Sequence, residues 1–142
     1  MEKYNILIVD DDALILKTLE KYFDTKENIN VFIENNPLNV YDKVKNNNIH
    51  IVLLDIQMPE KNGLVLLKEI KEINPMIQII IMSGYASPER VLIAFKEGAN
   101  DFVLKPFPTL EHIWEIITIT IKKIERWRES LGLSLKNIFV DI

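Results

Sequence analysis

Four apolar runs in this chain each stop at a side chain that could do chemistry. Ile6-Leu7-Ile8-Val9 ends in Asp10-Asp11-Asp12, and Ile51-Val52-Leu53-Leu54 ends in Asp55. Ile79-Ile80-Ile81-Met82 ends in Ser83-Gly84, and Phe102-Val103-Leu104 ends in Lys105-Pro106. Carboxylates brought close together repel unless a cation sits among them, while a hydroxyl and an ammonium beside them can clamp an anion. Brought together, these residue types suit a divalent metal and a phosphoryl group.

The elements that must position them follow from the same runs. Short apolar stretches bounded by turn residues, with helical patterns between, predict buried parallel strands. Expected strands are Ile6 to Val9, Asn30 to Glu34, His50 to Leu54, Ile77 to Met82 and Asn100 to Leu104. Helices are expected from Leu14 to Phe23, from Pro37 to Lys45, from Gly63-Leu64 to the stop at Asn74-Pro75, and from Pro88 to Lys96 with Gly98 beyond. Thr109 caps a long last helix carrying Leu110, Ile113, Ile117, Ile121 and Ile124 along one face. Five β-α units imply an α/β fold, a doubly wound parallel sheet whose strand ends converge in one crevice at the switch point.

Composition narrows the function. No segment offers the ~18 uninterrupted apolar residues of a membrane span, and no signal region precedes the first strand, so a cytoplasmic protein without membrane contact is expected. The absence of cysteine removes thiol chemistry, and a net charge of −4 gives no general attraction to nucleic acid. Direct nucleic-acid binding is therefore not expected.

Taken in order and spacing, these motifs resemble the receiver domains of bacterial two-component response regulators. The matching residues are Ile6-Leu7-Ile8-Val9-Asp10-Asp11, Leu53-Leu54-Asp55-Ile56-Gln57-Met58-Pro59 with Asn62-Gly63-Leu64, Met82-Ser83-Gly84-Tyr85-Ala86, and Gly98-Ala99-Asn100-Asp101-Phe102 with Lys105-Pro106-Phe107. The resemblance implies a five-stranded flavodoxin-like (βα)5 sheet of order 2-1-3-4-5. It covers roughly residues 3–127, and a seam read near Ser130-Leu131-Gly132 divides an expected domain over 1–129, its last helix at about 109–129, from an apolar extension over 130–142. Asp55 would accept a phosphoryl group from a histidine kinase or phosphotransfer protein, and no independent substrate turnover is expected. Ser83 and Phe102 would be switch residues, Phe102 standing where tyrosine is more common. The Lys105-Pro106 bond would be cis, and Gln57 and Tyr85 would flank the phosphoryl site.

The residue types explain themselves chemically. A carboxylate attacks phosphorus poorly unless the incoming oxygens are neutralised and aligned. Mg²⁺, with Mn²⁺ able to substitute, suits Asp11 and Asp55 directly, Asp10 through water and the backbone carbonyl of Gln57. Ser83 and Lys105 would each bond a phosphoryl oxygen, and Asp12 would open the first helix. A partner must supply the output, whether a downstream protein or an output domain outside these residues. The extended last helix could instead pair two copies as a homodimer.

Blander readings stand beside these. Asp10 and Asp11 alone would read as helix caps, Phe102 as core, and Trp114 and Trp127 as core or helix-edge packing. Lys122, Lys123, Arg126 and Arg128 suit the negative end of the last helix, and His50 and His112 receive no role. Two other functions compete. Asp10-x-Asp12 also fits a haloacid-dehalogenase-type phosphatase, which wants a later acidic pair where only Glu111 and Glu115 follow. The other is a docking module that is no longer phosphorylated.

Overall fold

The computed structural model describes residues 2–84 and 88–140. The apolar runs form a sheet of β1 (Tyr4–Val9), β2 (Ile29–Glu34), β3 (Ile51–Asp55), β4 (Gln78–Ser83) and β5 (Asp101–Leu104), in which β1, β3 and β4 are buried on both faces, while β5, expected as a buried strand, lies at the edge and buries only Val103. All pairings are parallel and the order is β2-β1-β3-β4-β5. This is the doubly wound arrangement expected from the alternation, and its order reverses between β1 and β3. The carboxyl ends of those two strands therefore frame the crevice.

Around the sheet lie α1 (Ala13–Asp24), α2 (Val40–Asn46), α3 (Gly63–Ile73), α4 (Pro88–Lys96), α5 (Leu110–Leu131) and a short α6 (Leu135–Ile138). Successive strand residues face opposite sides, so each strand feeds two cores. Leu7, Val9, Val52, Leu54, Ile79 and Ile81 pack with Val40 and Val44 of α2, Leu66, Leu67 and Ile70 of α3, and Ala94 of α4. Ile6, Ile8, Leu53, Ile80, Met82 and Val103 pack on the other side with Leu16, Leu19 and Phe23 of α1 and Ile113, Ile117 and Ile124 of α5. Each fully buried aliphatic of this size stabilises the fold by about 1.5–3 kcal/mol. A one-residue slip of any strand would exchange its two faces, which fixes the register and with it the level of every strand end. Trp114 and Trp127 are half-buried against the α1–α5 core.

Helix ends follow their caps. Asp12 accepts from the N–H groups of Leu14 and Ile15, Thr109 accepts from His112 N, and Gly132 at φ 64° closes α5 in the left-handed region that favours glycine. The single helix expected from Pro37 to Lys45 is broken: Pro37–Asn39 is a 3₁₀ turn and α2 begins at Val40. Asn36 accepts from Leu38 N, and with proline at the first position this closes a tight turn before the α-helix starts.

Gly63 opens α3 against the β3–α3 connection. A Cβ there would stand 2.3 Å from the Ile56 Cα, immediately after Asp55. Gly63→Ala is expected to lower stability by about 1–3 kcal/mol in denaturant unfolding, because backbone rather than a flexible side chain must move. An unchanged midpoint would contradict that close approach.

The apolar tail turns back onto its own domain. Leu135 and Ile138 are buried, Asn74 Nδ2 donates to Phe139 O at 2.9 Å, and Leu135 N donates to Glu2 at 3.2 Å. The Phe139 ring meets His50 edge-on at 4.7 Å. This burial lowers the His50 pKa to about 4, against a smaller opposing pull from Glu2. The unfolded chain takes up that proton near 6.5 while the fold refuses it, so stability present at neutral pH is lost as pH falls toward 4. A loss of about 2 kcal/mol between pH 7 and 5 is expected from this one group. The decline should flatten in His50→Gln, and an equal slope in both proteins would contradict the assignment.

Candidate functional site

The four run ends meet in one place. Asp10 follows β1, Asp55 ends β3, Ser83 ends β4, and Lys105 follows β5, so parallel register alone brings them to one edge. Asp10 is fully buried, Asp55 is 3% exposed, and Asp11 opens to solvent. Carboxylate oxygens of Asp10, Asp11 and Asp55 lie within 4.8 Å of one another.

Backbone geometry aims the two buried carboxylates. Asp12 N donates to Asp10 Oδ1 at 2.9 Å, and Gln57 N donates to Asp55 Oδ1 at 2.9 Å. Both are turns in which an acid accepts from the amide two residues on, a tendency of aspartate where a strand stops. That spacing was visible in the sequence, but its bracing role was not among the expectations. The other oxygen of each acid faces Lys105, whose Nζ lies 2.5 Å from Asp10 Oδ2 and 3.3 Å from Asp55 Oδ2. Lys105 is itself anchored, its N–H donating to Ser83 O at 2.9 Å, and the Lys105-Pro106 bond is cis.

The electrostatics are those of crowded like charge around one cation. Burial raises the Asp55 pKa and the nearby Asp10 charge adds to this, against the Gln57 N–H and the Lys105 charge. Burial works to lower the Lys105 pKa, but its hydrogen bond to Asp10 and the charges of Asp10 and Asp55 leave it above the ordinary amine value.

Ser83 is 2% exposed, and its Oγ has no hydrogen-bond partner among the described residues. A buried hydroxyl left unbonded costs about 1–3 kcal/mol, which makes it a ready donor for an oxygen arriving in the crevice. Gln57 Oε1 accepts from Gly84 N at 3.2 Å and so ties the β3 and β4 loops together across the site. Tyr85 lies outside the described residues. Phe102 sits on β5 but points away from the crevice, 37% exposed and edge-on to Phe95 at 6.0 Å.

The donor set suits a hard divalent cation. Three carboxylates supply only oxygen, one is exposed enough to leave room for waters, and no nitrogen or sulfur ligand stands among them. Asp12 does not join: its Oδ1 caps α1, so it does not face Asp10 as a phosphatase Asp-x-Asp pair would need.

Comparison with known proteins places the chain and its fold. Residues 6–118 match the family model described as the response regulator receiver domain. The chemotaxis protein CheY of Bacillus subtilis (strain 168) is 35% identical over 119 residues, covering 83% of this chain and 98% of that protein. The transcriptional regulatory protein ZraR of Klebsiella oxytoca is 39% identical over 108 residues, covering 74% of this chain. The match spans only 24% of ZraR's length. A solved CheY-like receiver domain from Methanospirillum hungatei JF-1 superposes with a TM-score of 0.82 at 28% identity, covering 88% of this chain and 98% of that one. The two-sided sheet, its strand order and the family match lead to one conclusion: this chain belongs to the response regulator receiver domain family.

Proposed function

We propose that Asp55 is the phosphoacceptor of this receiver and that its phosphorylation, aided by Mg²⁺, reshapes the surface formed by α4, β5 and α5. The carrying observation is the crevice itself. A buried carboxylate is aimed by a backbone N–H, faced by a lysine and two further acids, and overlooked by a buried serine hydroxyl with no partner among the described residues.

In the proposed transfer an Asp55 oxygen attacks phosphorus as the bond to the donor breaks. From a phosphohistidine the P–N bond is lost and the imidazole leaves carrying the displaced electron pair. Asp10, Asp11, Asp55 and the Gln57 carbonyl would hold Mg²⁺ or Mn²⁺, which when bound supplies charge neutralisation for the phosphoryl oxygens. Lys105 would exchange part of its carboxylate contact for a phosphoryl oxygen, and Ser83 Oγ would donate to another.

A modification shifts a conformational equilibrium only through unequal interaction with its two states. Ser83 Oγ has no partner among the described residues and would gain one from a phosphoryl oxygen, which would supply that inequality. Phe102 would leave its exposed contact with Phe95 and turn inward. Leu92, Ile93, Phe95, Phe102, Leu104 and Ile119 are all exposed on the elements concerned, more apolar surface than one face needs unless something binds there. The partners of this reading are a sensor histidine kinase or phosphotransfer protein upstream and an output protein or domain downstream. A homodimer through α5 is a further possible readout of the switched face. The domain proper would span 1–129, with 130–142 as its appendage. The setting would be a bacterial cytoplasm, without direct contact to nucleic acid or membrane; among the described residues no helix is long and apolar enough to cross a membrane.

Incubation with acetyl phosphate and Mg²⁺ is expected to add the mass of one phosphoryl group to the intact chain, and EDTA is expected to abolish the gain. No gain under conditions that label another receiver would favour the docking-module reading.

A further inference from the structure

At the opposite edge of the sheet, where the strands begin, lies a cavity of about 570 Å³ that the phosphoryl chemistry does not use. The five residues of β3 separate it from Asp55, roughly 17 Å at the usual rise of a strand. Its volume falls in the range of small-molecule sites. The walls are apolar, built from Val44, Ile49, Ile73, Ile77, Leu135 and Phe139, so α6 forms one side of the opening.

Its polar lining holds the amides of Asn5, Asn48 and Asn74 beside four charged side chains, three of them lysines. Lys3, Lys45 and Lys136 are exposed at the rim, and among the described residues none of them is ion-paired. Lys45 has its ammonium over the Tyr41 ring at 5.4 Å. The one acid of the lining, Glu2, is engaged by Arg128 at 2.9 Å and by Leu135 N at 3.2 Å. The unpaired charges of the rim are therefore all cationic.

His50 supplies the second observation. It lines the cavity, is 7% exposed, and accepts from Asn5 N through Nδ1 at 2.9 Å. An accepting Nδ1 carries no proton, so the neutral ring carries it on Nε2, and no described residue accepts from that nitrogen. An N–H donor with no acceptor among the described residues, three unpaired lysines and aliphatic walls match the two ends of one kind of molecule.

We infer that this cavity binds a small amphipathic carboxylate, its anionic head toward His50 Nε2 and the lysine rim and its aliphatic chain against the Ile73, Ile77 and Leu135 walls. Such a ligand would brace α6 against the sheet. This site stands independently of phosphorylation at Asp55.

The test is titration of the full 142-residue chain with octanoate, followed by amide and histidine-ring NMR, with octanol and octylamine as neutral and cationic controls. Saturable shifts at Asn5, His50, Asn74 and Phe139 are expected with octanoate. Octanol should bind at least tenfold more weakly, and octylamine should give no saturable shifts there. The surface double variant Lys45→Gln with Lys136→Gln should weaken octanoate at least tenfold while leaving phosphoryl uptake unchanged. Absence of saturable shifts at those residues would overturn the proposal. Equal affinity for octanol, preference for octylamine, or indifference to the double variant would do the same.

Discussion

Lys105→Met is expected to destabilise the metal-free chain by about 2–4 kcal/mol and to slow phosphoryl uptake by roughly a hundredfold or more. The structural reason is that Lys105 Nζ is the cation standing between Asp10 and Asp55, both almost wholly removed from water. Methionine keeps most of the stem's packing and removes the charge, leaving two buried carboxylates facing one another with Asp11 nearby. Added Mg²⁺ should then raise the melting temperature of the variant more than that of the parent, because a cation that binds only the fold stabilises it by mass action. Equal responses to Mg²⁺, or a melting temperature unaffected by the substitution, would show that Lys105 does not hold these acids together.

Asp55→Asn is expected to do the reverse to stability while abolishing phosphoryl uptake. In EDTA the Asp55 charge is held in a buried site beside Asp10, and its raised pKa records that the fold disfavours the ionised form at neutral pH. A group whose folded pKa is raised in this way detracts from stability above that pKa, and the cost disappears as pH falls and it protonates. Asparagine removes the charge at every pH and can still accept from Gln57 N. The variant should therefore melt at a higher temperature than the parent in EDTA at neutral pH, and the difference should shrink as the pH is lowered. A lower melting temperature would mean that the Asp55 contact with Lys105 outweighs crowding by Asp10.

How much of this was legible in the sequence depended on the reach of each signal. Strand runs ending in Asp10, Asp55, Ser83 and Lys105 announce themselves locally, and parallel winding is the only further assumption needed to gather them. The helix-capping role of Asp12 was legible for the same reason, since a cap is a contact within two or three residues. The orientation of Phe102 was not, because its packing on Phe95 depends on how α4 lies against an edge strand. Gly63 was legible as part of a motif but not as a steric necessity, since its neighbour Ile56 becomes one only when α3 docks. His50 drew no role because Phe139, which buries it, is remote in the chain and reaches it only after α5 ends at Gly132 and the tail reverses. The break at Pro37–Asn39 was missed for a smaller reason. Asn36 and Pro37 together make a turn that an apolar period alone does not reveal.

The most direct measurement is the location of the phosphoryl group after reaction with acetyl phosphate and Mg²⁺. Reduction of the labelled chain with borohydride converts an acyl phosphate to the alcohol, and peptide mass mapping then reads which aspartate was modified. The expected result is homoserine at position 55 alone, absent when Mg²⁺ is withheld. Conversion at Asp10 or Asp11 with position 55 untouched would contradict the account at its centre.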